Sequence, residues 1–165
     1  MKDGGIGELF PVEDDKTPGN VLEYRKTGIL PAQWLRAMVA DGEIAGLPEI
    51  TPDQIQPASL DLRLGARAYR VRASFLPGPN SSVMDKIKQL DGEPHIDLTS
   101  GQTVLEKGAV YVAELCEYVK LSGDFVGVAN PKSSIGRLDV LTRLITDRGT
   151  AFDRIDRGYK GRLYV

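Results

Sequence analysis

The stretch Ser59-Leu60-Asp61-Leu62-Arg63-Leu64 alternates polar and apolar residues at every position, which is the pattern of a half-buried β-strand. Gly65 interrupts the alternation, and residues 69–71 resume it. Further short segments of extended pattern follow at residues 96–98, 103–105, 110–115, 118–121 and 125–129, with glycine-containing turns between most of them. Many short strands at close spacing predict a mainly β, antiparallel fold, either a barrel or a sandwich.

Helical spacing precedes these strands. An apolar face is formed by Trp34, Leu35, Met38 and Val39, and Gly42 follows where a helix would end. This spacing predicts one substantial helix near residues 31–41. A second, shorter helical segment is expected from Ser82, which forms a capping-box pattern with the acidic residue three positions later.

Length and composition describe an ordinary globular domain. The chain has 165 residues, of which 41% are hydrophobic and 27% charged, with a formal net charge of −2. That charge gives no reason to expect a nucleic-acid polymer as partner. There is no apolar run of the roughly 18 residues that a membrane span requires, and no signal-peptide pattern at the start, so a cytoplasmic location is expected. Residues 1–28 are predicted to form a flexible N-terminal arm, and residues 29–165 a single domain.

The scarcity of metal-ligating residues excludes one kind of site. Zinc-dependent deaminases need a His or Cys ligand together with a Cys-x-x-Cys pair, and this chain has only His95 and Cys116. The chain alone therefore cannot assemble such a zinc site. A lone cysteine also fits a reducing compartment, and its strand-like surroundings predict a buried small side chain.

Two segments concentrate residues that suit a nucleotide. The serine loop, residues 131–137, reads Pro131-Lys132-Ser133-Ser134-Ile135-Gly136-Arg137 and combines two cations with two hydroxyls and a glycine. Backbone and side-chain donors of this kind bind phosphate oxygens. The aspartate segment, residues 154–161, places Asp156 three residues before Tyr159, which suits a sugar hydroxyl and a sugar face.

The C-terminal third has two further features. Asp147-Arg148-Gly149 separates two apolar stretches and predicts the tip of a hairpin. The last five residues, 161–165, have a strand pattern with no closing turn, and an unpaired strand leaves backbone groups unsatisfied. We therefore expect the domain to be incomplete at its C-terminal end.

Three blocks in order resemble the dCTP deaminase and dUTPase superfamily, and dCTP deaminases within it. The first is residues 54–65, the second runs from residues 104–108 through residues 117–119, and the third joins residues 132–137 to residues 155–161. The helix before Gly42 also matches the start of that family. The resemblance covers residues 29–165.

The resemblance implies a distorted antiparallel β-barrel of the dUTPase-like (β-clip) type with one N-terminal helix, assembled as a homotrimer with shared active sites. It implies that Lys132, Ser133, Ser134, Ile135, Gly136 and Arg137 form the nucleotide loop, with Ser133 and Arg137 also near the reacting pyrimidine. Asp156 would accept a hydrogen bond from the deoxyribose 3′-hydroxyl. The backbone of Tyr164 and Val165 would read the edge of the base.

The reaction that the resemblance implies is zinc-independent hydrolysis of dCTP to dUTP and ammonia, with Mg²⁺ carried by the triphosphate. In the family a glutamate polarises the attacking water, and its matching position would be the residue after Val165. The 165-residue chain is therefore expected to be inactive alone.

Some residues depart from the family pattern and keep further functions open. Lys132 replaces the usual arginine and so loses the planar fork. The stretch 138–154 is longer than in compact members, so its hairpin is expected to project towards the site. Tyr159 and Asp156 also suit a dUTP diphosphatase, whereas Arg137 favours the deaminase. The sequence is also compatible with a bifunctional deaminase-diphosphatase and with a catalytically silent, nucleotide-binding copy of the fold.

Overall fold

The computed structural model describes residues 28–90 and 95–165. The arm predicted for residues 1–28 lies outside this part of the chain, apart from Gly28. The helices are α1 (Ala32–Ala40), α2 (Val83–Gln89) and the single turn α3 (Ser133–Gly136), with a 3₁₀ turn at Pro52–Gln54. The strands are β1 (Ile44–Gly46), β2 (Ile55–Gln56), β3 (Ser59–Leu60), β4 (Leu64–Val71), β5 (Ile96–Asp97), β6 (Val110–Lys120), β7 (Gly127–Val128), β8 (Ile145–Thr146), β9 (Arg154–Ile155) and β10 (Lys160–Tyr164).

Helix α1 confirms the first helix prediction. Pro31 precedes it in an extended conformation, where its missing N–H costs nothing. Leu35 and Met38 lie one turn apart and are both buried. The helix ends before Gly42, whose φ of 72° is a left-handed conformation that glycine adopts without strain.

Strand β6 is the centre of the main sheet. It pairs antiparallel with β4 and β1 along one edge and with β10 along the other. The full order is β5-β4-β6-β10-β8, with β1 joined to β6 outside this path. The sequence pattern predicts two strands at 110–115 and 118–121, but the structure has one strand through both. The polar residues between them are accommodated because Glu117 has buried partners, described below.

Two hydrophobic clusters pack on this sheet. The first lies under α1 and contains Leu35, Met38, Ile44, Leu115, Val119, Leu121, Leu144, Ile155 and Leu163. The second lies under α2 and contains Tyr69, Val71, Val83, Ile87, Val112, Ile145 and Tyr164. Helix α2 also has the predicted capping box, in which the Ser82 hydroxyl accepts from the Asp85 N–H. The mainly β fold with few helices is thus confirmed.

The predicted turn at Asp147–Gly149 forms between β8 and β9, with the Gly149 N–H donating to the Thr146 carbonyl at 3.0 Å, but the predicted hairpin does not form. Strand β8 pairs with β10 and strand β9 pairs with β7, so the two strands flanking this turn do not pair with each other. The turn packs instead against the start of α2, where Asp147 Oδ1 accepts from the Val83 N–H at 2.8 Å. The Arg148 N–H donates to the Ser81 carbonyl at 3.0 Å. A carboxylate at the first turn of a helix satisfies a donor that the helix leaves free.

Three other sequence predictions need correction. The strand expected at residues 59–64 is interrupted at residues 61–63, and no strand forms at residues 103–105. The interruption expected at Gly65 is confirmed, because the pairing of β4 with β6 changes register between Leu64 and Ala68. The last strand, β10, has partners on both sides, so its pattern does not mark an unpaired strand. Among the sheets of the described chain none closes into a barrel, and the predicted barrel is not confirmed. No helix in this part of the chain is both long and apolar enough to span a bilayer.

Candidate functional site

The serine loop folds into one helical turn on the surface. Lys132 is extended, and its carbonyl accepts from the N–H groups of Ile135 at 2.9 Å and Gly136 at 3.2 Å. Apart from half-buried Ile135, the residues from Lys132 to Arg137 are exposed. Within the described residues the Ser133 and Ser134 hydroxyls and the Arg137 guanidinium have no hydrogen-bond partner. These donors are therefore available to a ligand.

Lys132 is the one loop side chain with an ionic partner among the described residues. Its ammonium nitrogen lies 2.5 Å from Asp61 Oδ2. Asp61 lies between β3 and β4, in the first of the three blocks, 71 positions earlier in the sequence. This contact connects the first and third blocks in space.

A buried network of polar side chains is hydrogen-bonded to the backbone of Asp61. The Gln54 side-chain amide donates to the Asp61 carbonyl at 2.8 Å and to Glu117 Oε1 at 2.9 Å. Glu117, whose side chain is fully buried, also accepts from the Arg63 N–H and from Arg63 Nε. A buried carboxylate is tolerated only with such partners. The network holds the residues on both sides of Leu62 in place.

Asp156 is positioned by the pairing of β7 with β9. Gly127 is opposite Ile155 and Val128 is opposite Arg154. Because the pairing is antiparallel, the serine loop leaves one end of this ladder and Asp156 leaves the other. The Asp156 carboxylate is exposed and pairs with Arg154 Nε at 2.7 Å. In the described residues no hydrogen bond or ion pair joins Asp156 to the serine loop, and the predicted convergence of the two stays a prediction.

The Tyr159 hydroxyl is occupied by two backbone groups of the chain. The ring packs against the first hydrophobic cluster, and its hydroxyl donates to the Arg162 carbonyl at 2.5 Å and accepts from the Asp147 N–H at 3.3 Å. Burial raises the pKa of Tyr159 to about 12. A Cβ on Gly161 would lie 2.7 Å from this hydroxyl. The Tyr159 hydroxyl and Gly161 thus have a structural role, and a contact of the Tyr159 ring with a sugar stays a prediction.

Tyr164 and Val165 lie at the end of β10. The Tyr164 side chain is 4% exposed, and burial raises its pKa above the ordinary range of tyrosine. Both the N–H and the carbonyl of Val165 pair with Ala113, at 2.9 and 2.7 Å. A base read at Val165 would therefore use the second lone pair of its carbonyl.

Sequence reasoning misses Asp153 and the network of Gln54 and Glu117 as organising residues. Asp153 has a φ of 60°, and its carboxylate accepts from the Leu144 N–H and from Arg143 Nε. Its carbonyl accepts from the Ala129 N–H, just before the serine loop. The sequence carries no local signal for this network, because Gln54 and Glu117 are 63 positions apart and both have other polar residues nearby.

The lone cysteine and the acidic residues do not form a metal site in the described chain. Cys116 is a half-buried free thiol whose Sγ lies 3.2 Å from the Leu64 carbonyl. Across residues 28–90 and 95–165, no group of three or more His, Cys, Asp or Glu side chains is arranged to hold a metal ion.

Comparison with known proteins follows the same blocks. A family model described as the 2′-deoxycytidine 5′-triphosphate deaminase (DCD) N-terminal domain matches residues 26–165. The dCTP deaminase of Pasteurella multocida (strain Pm70) is 29% identical over 130 residues, which are 76% of this chain and 64% of that protein. The "dCTP deaminase, dUMP-forming" of Bifidobacterium adolescentis is 30% identical over 129 residues, which are 77% of this chain and 61% of that protein.

A solved structure is similar over most of the chain. The crystal structure of 2′-deoxycytidine 5′-triphosphate deaminase from Agrobacterium tumefaciens matches with a TM-score of 0.79 and 50% sequence identity. The match covers 85% of this chain and 41% of that one. The chain thus spans about 64% of the Pasteurella relative and less than half of the solved chain.

Proposed function

Because the chain belongs to the 2′-deoxycytidine 5′-triphosphate deaminase family, we propose that it carries the nucleotide-binding part of a site that deaminates dCTP to dUTP and ammonia. The observation that supports this is the serine loop, whose hydroxyls and Arg137 are exposed and have no partner in the described chain. In chemical class the protein would be a hydrolase that cleaves a C–N bond of a cyclic amidine.

The proposed roles follow the chemistry of the loop side chains. Lys132 and Ser134 bind the phosphate oxygens through charge-assisted and hydroxyl hydrogen bonds. Ser133 and Arg137 lie beside the pyrimidine, and Asp156 accepts from the 3′-hydroxyl of the sugar. Ile135 and Gly136 contribute the helical turn that separates these groups. Tyr164 and Val165 present backbone to the base.

In the reaction, water adds to C4 of the cytosine ring and ammonia leaves, so that C4 ends as a carbonyl. A general base takes a proton from the water, and a proton is then delivered to the departing nitrogen. From the resemblance we expect this base to be a glutamate at the position that follows Val165. We therefore propose that the 165-residue chain alone has no deaminase activity.

Assembly and metal are part of the same proposal. Mg²⁺ would arrive bound to the triphosphate, as part of the substrate. We propose a homotrimer with shared sites, in the dUTPase-like barrel that the resemblance implies, and a cytoplasmic location. Sharing is supported by the partners of Asp156, which in the described residues has no hydrogen bond or ion pair with the serine loop of its own chain. Asp156 of one copy would then serve the loop of another.

A second candidate function is combined deamination and diphosphate release. It is favoured by the names of two relatives, from Halobacterium salinarum and Bifidobacterium adolescentis, both "dCTP deaminase, dUMP-forming". In that case water would also attack phosphorus, and Asp156 would be the carboxylate that activates this water. The experiment described next also distinguishes these reactions from those of a dUTP diphosphatase and from a silent nucleotide-binding copy.

The test is an assay of the protein expressed from its complete reading frame, beside the 165-residue chain, with dCTP or dUTP and Mg²⁺. Ammonia and pyrophosphate are measured separately. Ammonia from dCTP supports the deaminase, and equal amounts of both products support the combined reaction. Pyrophosphate from dUTP without ammonia from dCTP indicates a diphosphatase. Nucleotide binding with neither product indicates a silent copy, and rapid ammonia release by the 165-residue chain contradicts the proposed position of the base.

A further inference from the structure

We propose that Asp61 is a positioning residue for the phosphate end of the serine loop, acting through Lys132. The inference rests on the proposed function for the identity of the ligand, which is a nucleoside triphosphate. It starts from the ion pair between Lys132 Nζ and Asp61 Oδ2 at 2.5 Å. In the described chain, this pair is the only hydrogen bond or ion pair that joins residues 130–142 to the remainder. The other hydrogen bonds of that segment are internal to it.

Asp61 is a rigid partner for this loop. Its N–H donates to the Gln54 carbonyl at 2.9 Å, and its carbonyl accepts from the Gln54 side chain at 2.8 Å. Gln54 is 5% exposed and is itself bonded to the buried Glu117. The backbone of Asp61 is therefore fixed by the core of the domain, whereas its carboxylate reaches the surface.

The chemistry of lysine explains why such a partner matters at this position. A lysine ammonium is a point charge on a flexible stem, so nothing intrinsic to it sets its direction. The ammonium has three N–H donors. One donor bound to Asp61 fixes the direction of the group, and two remain for phosphate oxygens. Asp61 thus orients Lys132 without using up its capacity to bind phosphate.

Positioning and simple electrostatics predict opposite results for Asp61→Asn. If the carboxylate only repels the triphosphate, its removal strengthens binding. If it positions Lys132, its removal weakens binding despite the lost repulsion. Because the pair is partly exposed, we expect dCTP to bind about 2- to 5-fold more weakly. Deoxycytidine, which has no phosphate, should bind equally to both proteins.

The first measurement needs no nucleotide. NMR measures the rate at which the backbone N–H groups of Ile135, Gly136 and Arg137 exchange hydrogen with water. Because these N–H groups close the turn of the serine loop, their exchange rates report how well ordered the loop is. We expect Asp61→Asn to accelerate their exchange about 2- to 5-fold. The matched control is Asp124→Asn, since Asp124 is exposed and has no ion pair or hydrogen bond in the described chain.

The second measurement is a double-mutant cycle of Asp61 and Lys132, made with the protein expressed from its complete reading frame. Two quantities are compared in it: the amide exchange rates of the loop, and the affinity for dCTP measured by calorimetry in the presence of Mg²⁺. In a Lys132→Ala background, Asp61→Asn should have no further effect on either quantity. An equal effect in both backgrounds, unchanged exchange, or tighter dCTP binding by Asp61→Asn would each overturn the inference. If exchange responds as expected but the unaltered protein binds no dCTP, the proposed function fails while the positioning role of Asp61 stands.

Discussion

The side-chain amide of Gln54 donates to Glu117 Oε1 at 2.9 Å, across 63 positions of the sequence. Glu117 also accepts from Arg63 through both the backbone N–H and Nε. One carboxylate thereby joins the 3₁₀ turn, the segment before β4 and the central strand β6. Gln54 also donates to the Asp61 carbonyl, so Glu117, the most buried charged side chain among the described residues, helps to support the proposed site.

Removal of that charge should destabilise the domain strongly. Glu117→Gln leaves the Arg63 guanidinium without its buried counter-charge, and breaking a buried pair typically costs about 3–5 kcal/mol. Arg63 keeps partial access to water, so we expect a loss of about 2–4 kcal/mol in the free energy of unfolding, measured by urea denaturation. The control is Glu106→Gln, which breaks the exposed pair with Arg70 and should cost less than about 1 kcal/mol. Equal effects of the two substitutions would contradict the assigned burial.

A methyl group at Gly65 should also be costly. A Cβ there would lie 2.9 Å from the Glu114 carbonyl oxygen, which belongs to the backbone of β6 and cannot rotate away. We expect Gly65→Ala to lower the free energy of unfolding by about 1–3 kcal/mol, as forced overpacking does. Gly123→Ala is the matched control, because a Cβ at Gly123 meets nothing within 4 Å. A thermal melt of both variants checks the difference.

The local parts of the fold can be predicted from the sequence because they depend on neighbouring residues. The apolar spacing of α1 and the capping box of α2 lie within one or two helical turns, and both are confirmed. At Gly65 the sequence pattern predicts an interruption, and the pairing of β4 with β6 does change register between Leu64 and Ala68. The structural reason for this glycine is the close approach of Glu114 in β6, a residue distant in sequence that periodicity does not report.

The candidate site shows the same division. The composition of the serine loop is enough to identify it, but its ion pair with Asp61 depends on a partner 71 positions away. The apolar pattern of residues 140–145 predicts a strand, yet only Ile145–Thr146 pairs. Leu138 and Leu141 are 72% and 92% exposed. The alternation of a sequence shows which side chains are apolar. It does not show whether a neighbouring strand is present to pair with the segment.

Tyr159 should make stability depend on pH in the alkaline range. Burial raises its pKa from 10.0 to about 12, so the unfolded chain loses the phenolic proton at lower pH than the folded chain. The stabilisation is therefore complete below about pH 10 and is lost as the pH rises to about 12. Tyr159→Phe removes both hydrogen bonds and should cost about 1–2 kcal/mol at about pH 8.

The same substitution removes the titration, so the stabilities of the two proteins should converge between about pH 10 and 12. Urea denaturation at about pH 8, 10 and 11.5 measures this convergence. Tyr118→Phe is the control, because the Tyr118 hydroxyl has no hydrogen-bond partner among the described residues. A difference between Tyr159→Phe and the unaltered protein that stays constant with pH would argue against the raised pKa.

Arg137 should matter for activity and not for folding. Its side chain is exposed and makes no hydrogen bond or ion pair within the described chain, so Arg137→Ala should change the free energy of unfolding by less than about 0.5 kcal/mol. In the proposed site its guanidinium stabilises charge beside the reacting pyrimidine, and loss of such a donor typically costs about 10²- to 10³-fold in kcat. Ammonia release from dCTP by the protein from its complete reading frame measures this effect. Arg36→Ala, which removes an exposed arginine of α1, is the matched control and should retain full activity. If Arg137→Ala keeps its kcat while Arg36→Ala behaves identically, the serine loop does not reach the reacting base, and the assignment of Ser133 and Arg137 to catalysis fails even though the family stands.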